Sequence, residues 1–214
     1  MSSIVKGKNY SKNNTGGRSP RDFYQTPRSM TDALFDLPDM KYIKTPILEP
    51  AVGKGAIVHA IMPFLAHLND IVAYDLQPGV GFDGPRDFLK ETRKFPTIIT
   101  NPPFSLALEF IKKSKEVATH TFALLMDLEY LHGSQRFREV YSVCDHWPLS
   151  SVNVFVRRPM LLPTLRKDGF YNTGMTTYAW YIWSHSFHTQ RSAPIIRWID
   201  NDAFVLRKRQ GGSS

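Results

Sequence analysis

The feature that most constrains the fold is a regular alternation, from residue 46 onward, of short apolar segments with segments of helical periodicity. Four of the apolar segments are predicted strands: residues 46–48, 71–74, 97–100 and 121–126. Between them, apolar residues recur at helical spacing, as in Ile57, Ile61 and Phe64, which predicts helices. Alternation of this kind is typical of an α/β domain with a mostly parallel sheet.

Later in the chain the apolar segments favour strands more strongly. These predicted strands are residues 152–156, 178–183, 195–199 and 203–206. The last two are expected to form a hairpin around Asp200-Asn201-Asp202, and a weak strand end is expected at Phe88 and Leu89. The remaining predicted helices are residues 31–37, 105–118 and 135–140. Thr31 can cap the first of them. The whole pattern predicts a doubly wound α/β sheet whose final strands can run antiparallel.

Positive charge is concentrated at both ends of the chain. The 214 residues carry a formal net charge of +8; Lys and Arg outnumber Asp and Glu by six to one in residues 1–30 and by nine to three in residues 151–214. Two basic flanks suit a polyanionic partner, because each neutralised phosphate releases counterions. Solubility alone is the other explanation of this charge.

One folded domain is expected over residues 21–206. Residues 1–20 have the composition of a flexible basic tail, and residues 207–214 that of a flexible C-terminal tail. The single cysteine, Cys144, excludes an internal disulfide, and the first residues do not resemble a signal peptide. No apolar run approaches the ~20 residues that cross a membrane. A cytoplasmic protein without membrane contact is therefore expected.

Two loops at predicted strand ends carry candidate ligand-binding residues. Gly53 and Gly55 stand at a helix start, where glycine lets the backbone approach a ligand closely. The third glycine of a dinucleotide fingerprint is replaced by Val58, so an NAD site is not predicted. Asp75 follows the next strand, where a carboxylate can accept hydrogen bonds from two ribose hydroxyls. A simple turn and a solvated Asp are the alternatives.

The tetrapeptide Asn101-Pro102-Pro103-Phe104 is the most informative segment. It follows predicted strand 97–100, at the edge where open α/β sheets bind ligands. Two prolines remove two N–H donors, so the carbonyl of Pro102 has no local ladder partner. That oxygen and the amide oxygen of Asn101 can both accept from one NH2 group, and Phe104 offers a face on which a planar base can stack. A rigid strand-to-helix turn is the alternative.

Five motifs in this order resemble the amino-group DNA methyltransferases, and most closely the compact adenine-N6 enzymes of phages and prophages. The motifs are Tyr24-Gln25-Thr26-Pro27, Glu49-Pro50-Ala51-Val52-Gly53-Lys54-Gly55, Asp75, Asp87-Phe88 and Asn101-Pro102-Pro103-Phe104. The resemblance covers residues 23–104 by motifs and residues 121–183 by pattern alone. It implies a Rossmann-like S-adenosylmethionine-dependent methyltransferase fold, with a mostly parallel seven-stranded sheet that contains one antiparallel strand.

The same resemblance implies methyl transfer from S-adenosylmethionine to the N6 amine of adenine in DNA, in a bacterial or phage-infected cell. The positions that match cofactor-binding residues are Tyr24, Thr26, Pro27, Glu49, Ala51, Gly53, Gly55, Asp75, Asp87 and Phe88. The positions that match the catalytic loop are Asn101, Pro102, Pro103 and Phe104. Within the first set, Asp75 matches the ribose acceptor, and Asp87 and Phe88 match the adenine pocket.

The chain also departs from the larger members of this family. A separate target-recognition region fits neither between Asp75 and Asn101 nor after Trp183, so relaxed or short sequence specificity is expected. The family's later aromatic residue, which packs on a flipped base, has no clear counterpart; Phe155 is the candidate, with a core position as the alternative. Candidate phosphate contacts lie near it: Arg157, Arg158, Arg166 and Lys167.

Several alternatives stay open. A methyltransferase acting on RNA adenines, or on the N5 amide nitrogen of glutamine in a protein, would use a similar Asn-Pro-Pro-aromatic loop, and the basic flanks favour nucleic acid over protein. A non-catalytic nucleic-acid-binding protein with the same fold is a more distant alternative. No metal site is predicted, because His185 and His188 have no third clustered ligand. The oligomeric state is not predicted.

Overall fold

The computed structural model of the protein describes residues 26–78, 82–141, 146–158, 176–185 and 193–201. Its strands are β1 (Ile47–Glu49), β2 (Ile71–Ala73), β3 (Phe95–Thr100), β4 (Ala118–Asp127), β5 (Leu149–Phe155), β6 (Tyr178–Ser184) and β7 (Ile195–Ile199). They form one sheet with the order β2-β1-β3-β4-β6-β5-β7.

Only one strand of this sheet opposes the others. β6 lies between β4 and β5 and pairs antiparallel with both, whereas the pairs β1–β2, β1–β3, β3–β4 and β5–β7 are parallel. The predicted seven-stranded, mostly parallel sheet with one antiparallel strand is thereby confirmed. Because β6 is reversed, its first residue lies at the edge where the parallel strands end.

Helices cover both faces of the sheet. They are α1 (Arg28–Phe35), α2 (Ala56–Ile61) and α3 (Ala107–Val117). Successive strand residues point to opposite faces, so Ile99 belongs to the core beneath α1 and α2, and Ile98 to the core beneath α3. β4 is buried through most of its length and contributes to both cores. The described residues contain no helix that is both apolar enough and long enough to cross a bilayer.

The first helix begins earlier than its sequence predicts. α1 starts at Arg28, directly after Pro27, and Thr31 is an interior residue with no exposed surface. Thr31 is therefore not the cap. The fixed φ of Pro27, −58°, directs the chain into the helix without a side-chain cap.

One further expectation near a strand end is corrected, whereas the predicted hairpin stays a prediction. The predicted strand end at Phe88 is wrong, because Phe88–Lys90 forms a 3-10 helix and the Asp87 carboxylate accepts a hydrogen bond from the amide of Leu89 at 3.0 Å. β7 is a parallel partner of β5, and the second strand of the expected hairpin, residues 203–206, lies outside the described residues. The predicted helix 135–140 is one α-turn, Ser134–Arg136, followed by a π-helix, Phe137–Tyr141.

Candidate active site

A cavity of about 220 Å³ opens where β1, β2 and β3 end, at the carboxyl edge of the sheet. This is the edge at which ligands bind in open α/β sheets. The predicted site residues that line it are Thr26, Ala51, Gly53, Asp75, Asp87, Phe88, Asn101 and Pro103. Residues from five separate stretches of sequence therefore meet in one cavity.

The other predicted site residues lie beside this lining. They are Pro27, Glu49, Gly55, Pro102 and Phe104; Tyr24 lies outside the described residues. Gly55 is needed for packing as well as for backbone freedom. Its φ is +80°, and a Cβ built there would lie 3.1 Å from a ring carbon of Phe82. A larger residue would therefore be strained at this turn and would press on the Phe82 ring.

Asp75 connects the glycine loop to the end of β2. Its Oδ2 accepts a hydrogen bond from the amide of Gly53 at 3.0 Å, and its Oδ1 accepts from the amide of Gln77, also at 3.0 Å. The residue is 8% exposed and lines the cavity. A carboxylate has about four lone-pair sites, so these two bonds leave acceptor capacity for a ligand. Asp75 is thus fixed in position while it can still bind hydroxyl groups.

Glu49 lies behind the same loop, at the end of β1. Its Oε1 accepts hydrogen bonds from the Thr100 hydroxyl at 2.6 Å and from the amide of Ala51 at 3.1 Å, whereas Oε2 is buried without a hydrogen-bond partner. Burial raises the pKa of this carboxyl to about 8, against the lowering effect of its two donors. Glu49 therefore ties the glycine loop to the strand that precedes Asn101.

Two aromatic rings form part of the cavity wall. Phe88 and Phe110 lie 4.9 Å apart between ring centroids, with their planes tilted by 48°, and both line the cavity. Asp87 lies next to them and has a weak ion pair with Lys90 at 3.4 Å. The sequence analysis did not select Phe110, although it lies four residues after Leu106, the N-cap residue of α3, and the two also line the cavity.

Asn101 is held by a residue far away in sequence. Its amide nitrogen donates a hydrogen bond to the Thr26 hydroxyl at 3.1 Å, across 75 positions of the chain. Thr26 is 4% exposed, so the bond is shielded from water. The resemblance implies a cofactor contact for Thr26, and in the structure its hydroxyl holds the side-chain amide of Asn101.

Phe104 begins a 3-10 helix directly after the two prolines. Its ring is partly buried and stacks on the ring of Tyr178, with centroids 5.9 Å apart and planes inclined by 24°. The cavity lining also includes polar residues that sequence reasoning did not select, namely Lys54, Gln77 and Arg86. The sequence around these three residues contains no motif that would mark them, because they lie in loops that the folded sheet brings to the cavity.

The predicted nucleic-acid contacts differ in their exposure. Arg157 and Arg158 are exposed just beyond β5, at the carboxyl edge of the sheet, and remain predictions; Arg166 and Lys167 lie outside the described residues. The backbone of Arg157 exchanges two hydrogen bonds with the Asn201 side chain. Phe155 is only 2% exposed and lies in the core on the α1 side. Its ring is therefore too buried to stack on a base, and Phe155 occupies the core position that was the alternative interpretation.

Comparisons with known proteins identify the fold. The sequence matches no protein-family model and no curated protein. Among solved structures, it is similar to a Pyrococcus horikoshii protein assigned as an RNA methyltransferase, with 16% identity and a TM-score of 0.56 over 77% of this chain and 88% of that chain. A Listeria monocytogenes protein assigned to the class I S-adenosylmethionine-dependent methyltransferases gives 11% identity and a TM-score of 0.57 over 87% and 71%.

A third similar structure is the M protein of the type I restriction enzyme EcoKI, with 16% identity and a TM-score of 0.53. The match covers 75% of this chain but only 44% of the M protein. Identities this low establish the fold and nothing finer. The chain has the Rossmann-like fold of the S-adenosylmethionine-dependent methyltransferases.

Proposed function

We propose that this protein transfers the methyl group of S-adenosylmethionine to the N6 amine of adenine in DNA, with relaxed or short sequence specificity. The observation that carries the proposal is the placement of Asn101. Its side chain lines the cavity at the end of β3, and its amide nitrogen is held by Thr26. An amide nitrogen only donates, so Oδ1 is the atom of this side chain that can accept from an amine, and it lies buried in the structure.

The residues of the cavity fit S-adenosylmethionine. Asp75 is fixed by two backbone donors and retains lone pairs for the two ribose hydroxyls. Phe88 and Phe110 offer apolar surface for a planar ring, and Asp87 beside them can accept from an exocyclic amine. The fold shared with assigned S-adenosylmethionine-dependent enzymes supports the same cofactor. When bound, this cofactor supplies an electrophilic methyl group.

The protein's own contribution to the reaction is to make an amine nucleophilic. The lone pair of the adenine amine is delocalised into the ring, which makes the nitrogen a poor nucleophile. Asn101 Oδ1 and the Pro102 carbonyl would accept one N–H bond each, which favours a tetrahedral nitrogen with a localised lone pair. Neutral acceptors suffice, because the nitrogen can lose its proton to water after methylation. Positioning and electrostatics then supply most of the rate enhancement.

Phe104 would complete the acceptor site. Stacking of a base on an aromatic ring is worth about 1–3 kcal/mol. In duplex DNA the target base must leave the helix, at a cost of a few kcal/mol, and stacking on Phe104 would offset part of this cost. The basic flanks of the chain would hold the phosphate backbone while the base is displaced.

Two observations bear on the choice of acceptor. The likeness to the M protein of a restriction enzyme supports DNA, and the likeness to a protein assigned as an RNA methyltransferase keeps RNA as the second candidate. Glutamine amides are less favoured, because the net charge of +8 is concentrated in flanks that suit a polyanion.

The test is methyl transfer from isotopically labelled S-adenosylmethionine to duplex DNA, single-stranded DNA, RNA and a protein extract. The methylated atom is identified by mass spectrometry of nucleosides or peptides. We expect label on N6 of adenine in DNA. Matched oligonucleotides in which hypoxanthine replaces adenine are the control, because they keep the ring and backbone but lack the amine.

Each other outcome contradicts part of the proposal. Label in RNA alone would replace the acceptor and leave the chemistry intact. Label on glutamine would exclude nucleic acid as the acceptor. Label retained by the hypoxanthine oligonucleotides would exclude the adenine amine. No transfer to any acceptor, from protein shown by calorimetry to bind the cofactor, would refute catalysis on an amine altogether.

A further inference from the structure

The antiparallel strand reaches the catalytic loop. Tyr178, the first residue of β6, pairs with Asp127 at the end of β4, and the carbonyl of Thr177 accepts a hydrogen bond from the amide of Leu128 at 2.8 Å. The catalytic loop leaves β3 at the same edge, after Thr100, which pairs with Leu124 of β4. A residue from late in the chain is therefore placed beside Asn101-Pro102-Pro103-Phe104.

Tyr178 is more firmly fixed than the ring it contacts. It is 6% exposed, is held in the sheet by pairing on β4, and belongs to the core beneath α1. Phe104 lies in a short 3-10 helix and is only partly buried, packed against the edge of that core. The two rings are close to parallel, with planes inclined by 24°. The tyrosine therefore defines the plane in which the phenylalanine ring lies.

The same strand also supports Asn101, by a second route. Trp180, two residues after Tyr178 and on the same face, donates a hydrogen bond from its indole nitrogen to the carbonyl of Met30 at 2.7 Å. Met30 lies in α1, four residues after Thr26. The Thr26 hydroxyl accepts the hydrogen bond from the Asn101 amide. The positions of Asn101 and Phe104, the two side chains that would contact an acceptor, thus both depend on one buried face of β6.

We propose that Tyr178 is a positioning residue, which holds the ring of Phe104 in the plane required for an acceptor base to stack with its amine at Asn101. The inference rests on the proposed function, since it assigns the stacking role to Phe104. In this proposal the residue that sets the orientation of the acceptor base lies on β6, whereas the residues that bind the cofactor follow β1 and β2. Loss of Tyr178 should therefore affect use of the acceptor and not binding of the cofactor.

The experiment compares Tyr178→Leu, Tyr178→Phe and Ile182→Ala with the wild-type protein, using the oligonucleotide that gives the highest wild-type turnover. Tyr178→Leu removes the ring and should lower kcat/KM for the oligonucleotide by about 10-fold to 100-fold, the scale of a small misplacement of reacting groups. The calorimetric Kd for S-adenosylmethionine should change by less than about twofold. Tyr178→Phe keeps the ring and should restore activity.

Ile182→Ala is the matched structural control. Ile182 is on the same face of β6, fully buried and four residues away from Tyr178, so its truncation lowers the Tm through a core cavity without touching Phe104. Its activity per folded molecule should stay near the wild-type level. Should Tyr178→Leu fail to fold, Tyr178→Met takes its place, because the flexible methionine side chain adapts to an irregular gap in a core.

A double-mutant cycle with Phe104→Leu shows whether Tyr178 acts through Phe104. We expect Phe104→Leu/Tyr178→Leu to be no slower than Phe104→Leu alone, because the ring to be positioned is already absent. Additive losses, an unchanged kcat/KM in Tyr178→Leu, or a weakening of cofactor binding equal to the loss of activity would each overturn the assignment. Absence of turnover in the wild-type protein would instead contradict the proposed function, so the two failures are distinguishable.

Discussion

The two halves of the sheet satisfy their buried polar groups in different ways. The pocket half, formed by β2, β1 and β3, ends in polar side chains that face the cavity, and Glu49 there keeps one buried oxygen without a partner. The aromatic half, formed by β4, β6, β5 and β7, pairs its hydroxyls internally, as Thr121 and Ser184 do at 2.8 Å. In the pocket half, Asp75 lines the cavity and keeps lone pairs that a ligand can use.

The halves also differ in strand length and side-chain size. β1 and β2 have three residues each, whereas β4 has ten and β6 seven. Among the residues that the structure describes, the largest fully buried side chains are those of Trp180 and Trp183, and both belong to β6. Short strands bring loops together around a cavity, and long aromatic strands supply the rigid support. Substitutions in the pocket half should accordingly affect mainly activity, and substitutions in the aromatic half mainly stability.

The largest expected effect is on stability, from Asp39→Ala. The Asp39 carboxylate is fully buried and accepts a hydrogen bond from Arg197 of β7 at 2.6 Å. Removing one partner of a buried pair leaves the other uncompensated, so unfolding in urea should show a loss of about 3 kcal/mol. Activity per folded molecule should persist. Lys112→Ala, which breaks an exposed pair with Glu139, is the control and should leave the free energy of unfolding nearly unchanged. Equal losses would contradict the difference in burial.

The next largest effect separates two asparagines. Asn101→Ala should reduce methyl transfer by at least about 100-fold while S-adenosylmethionine still binds, because a positioned transition-state contact is lost. Asn153→Ala removes an amide that donates to Ser151 at 2.9 Å and should lower stability by about 1–3 kcal/mol without this loss of turnover. Single-turnover rates and denaturant curves measure the two effects. Near-wild-type turnover in Asn101→Ala would remove that residue from the mechanism.

A smaller effect is expected from the carboxylates at the two ends of β2. Asp75→Ala should weaken S-adenosylmethionine binding by about 10-fold or more, the scale of losing hydrogen bonds to a charged group. Asp70→Ala is the matched control, since Asp70 also accepts a backbone hydrogen bond, from His67 at 3.0 Å, but at the opposite end of the strand. Calorimetry gives both dissociation constants, and an unchanged value for Asp75→Ala would count against its ribose role.

The last effect is a pH dependence of stability, which is small within any one pH unit and accumulates over the range. Burial raises the pKa of Glu49 from 4.5 to about 8, so between these values the folded state holds a proton that the unfolded chain releases. The contribution of Glu49 to stability therefore declines as pH rises through this window and is level above it, by at most about 1.4 kcal/mol per pH unit. Glu49→Gln should flatten this decline in denaturant curves between pH 5 and pH 8. Parallel curves for the two proteins would show that Glu49 does not titrate in this range.

The pocket half was largely accessible from sequence because its signals are local. β-branched residues predicted β3, and the motifs placed Asp75 and Asn101 directly after strands, as the structure has them. The error at Phe88 came from reading an apolar pair as a strand. There Asp87 accepts from the amide of Leu89 and turns the backbone into a 3-10 helix.

The supporting contacts could not be predicted, because they join distant segments. Nothing near Thr26 indicates that its hydroxyl accepts from Asn101, 75 residues later. Whether Phe155 is exposed or buried depends on which face of β5 lies beneath α1. The alternation of apolar and polar residues along the strand does not show which face that is. The insertion of β6 between β4 and β5 is likewise a property of the whole sheet, and with it the contact of Tyr178 with Phe104.

The position of β6 has a consequence for biosynthesis. β5 leaves the ribosome before β6, yet its sheet partners are β6 and β7, so it cannot join the sheet until β6 has emerged. During that interval β4 exposes an unpaired edge over residues 121–127, which are mostly buried in the complete fold. Such edges promote association between chains. A ribosome that stalls or stops between residues 155 and 184 would therefore release an aggregation-prone fragment that has the cofactor loops but lacks the support of the catalytic loop.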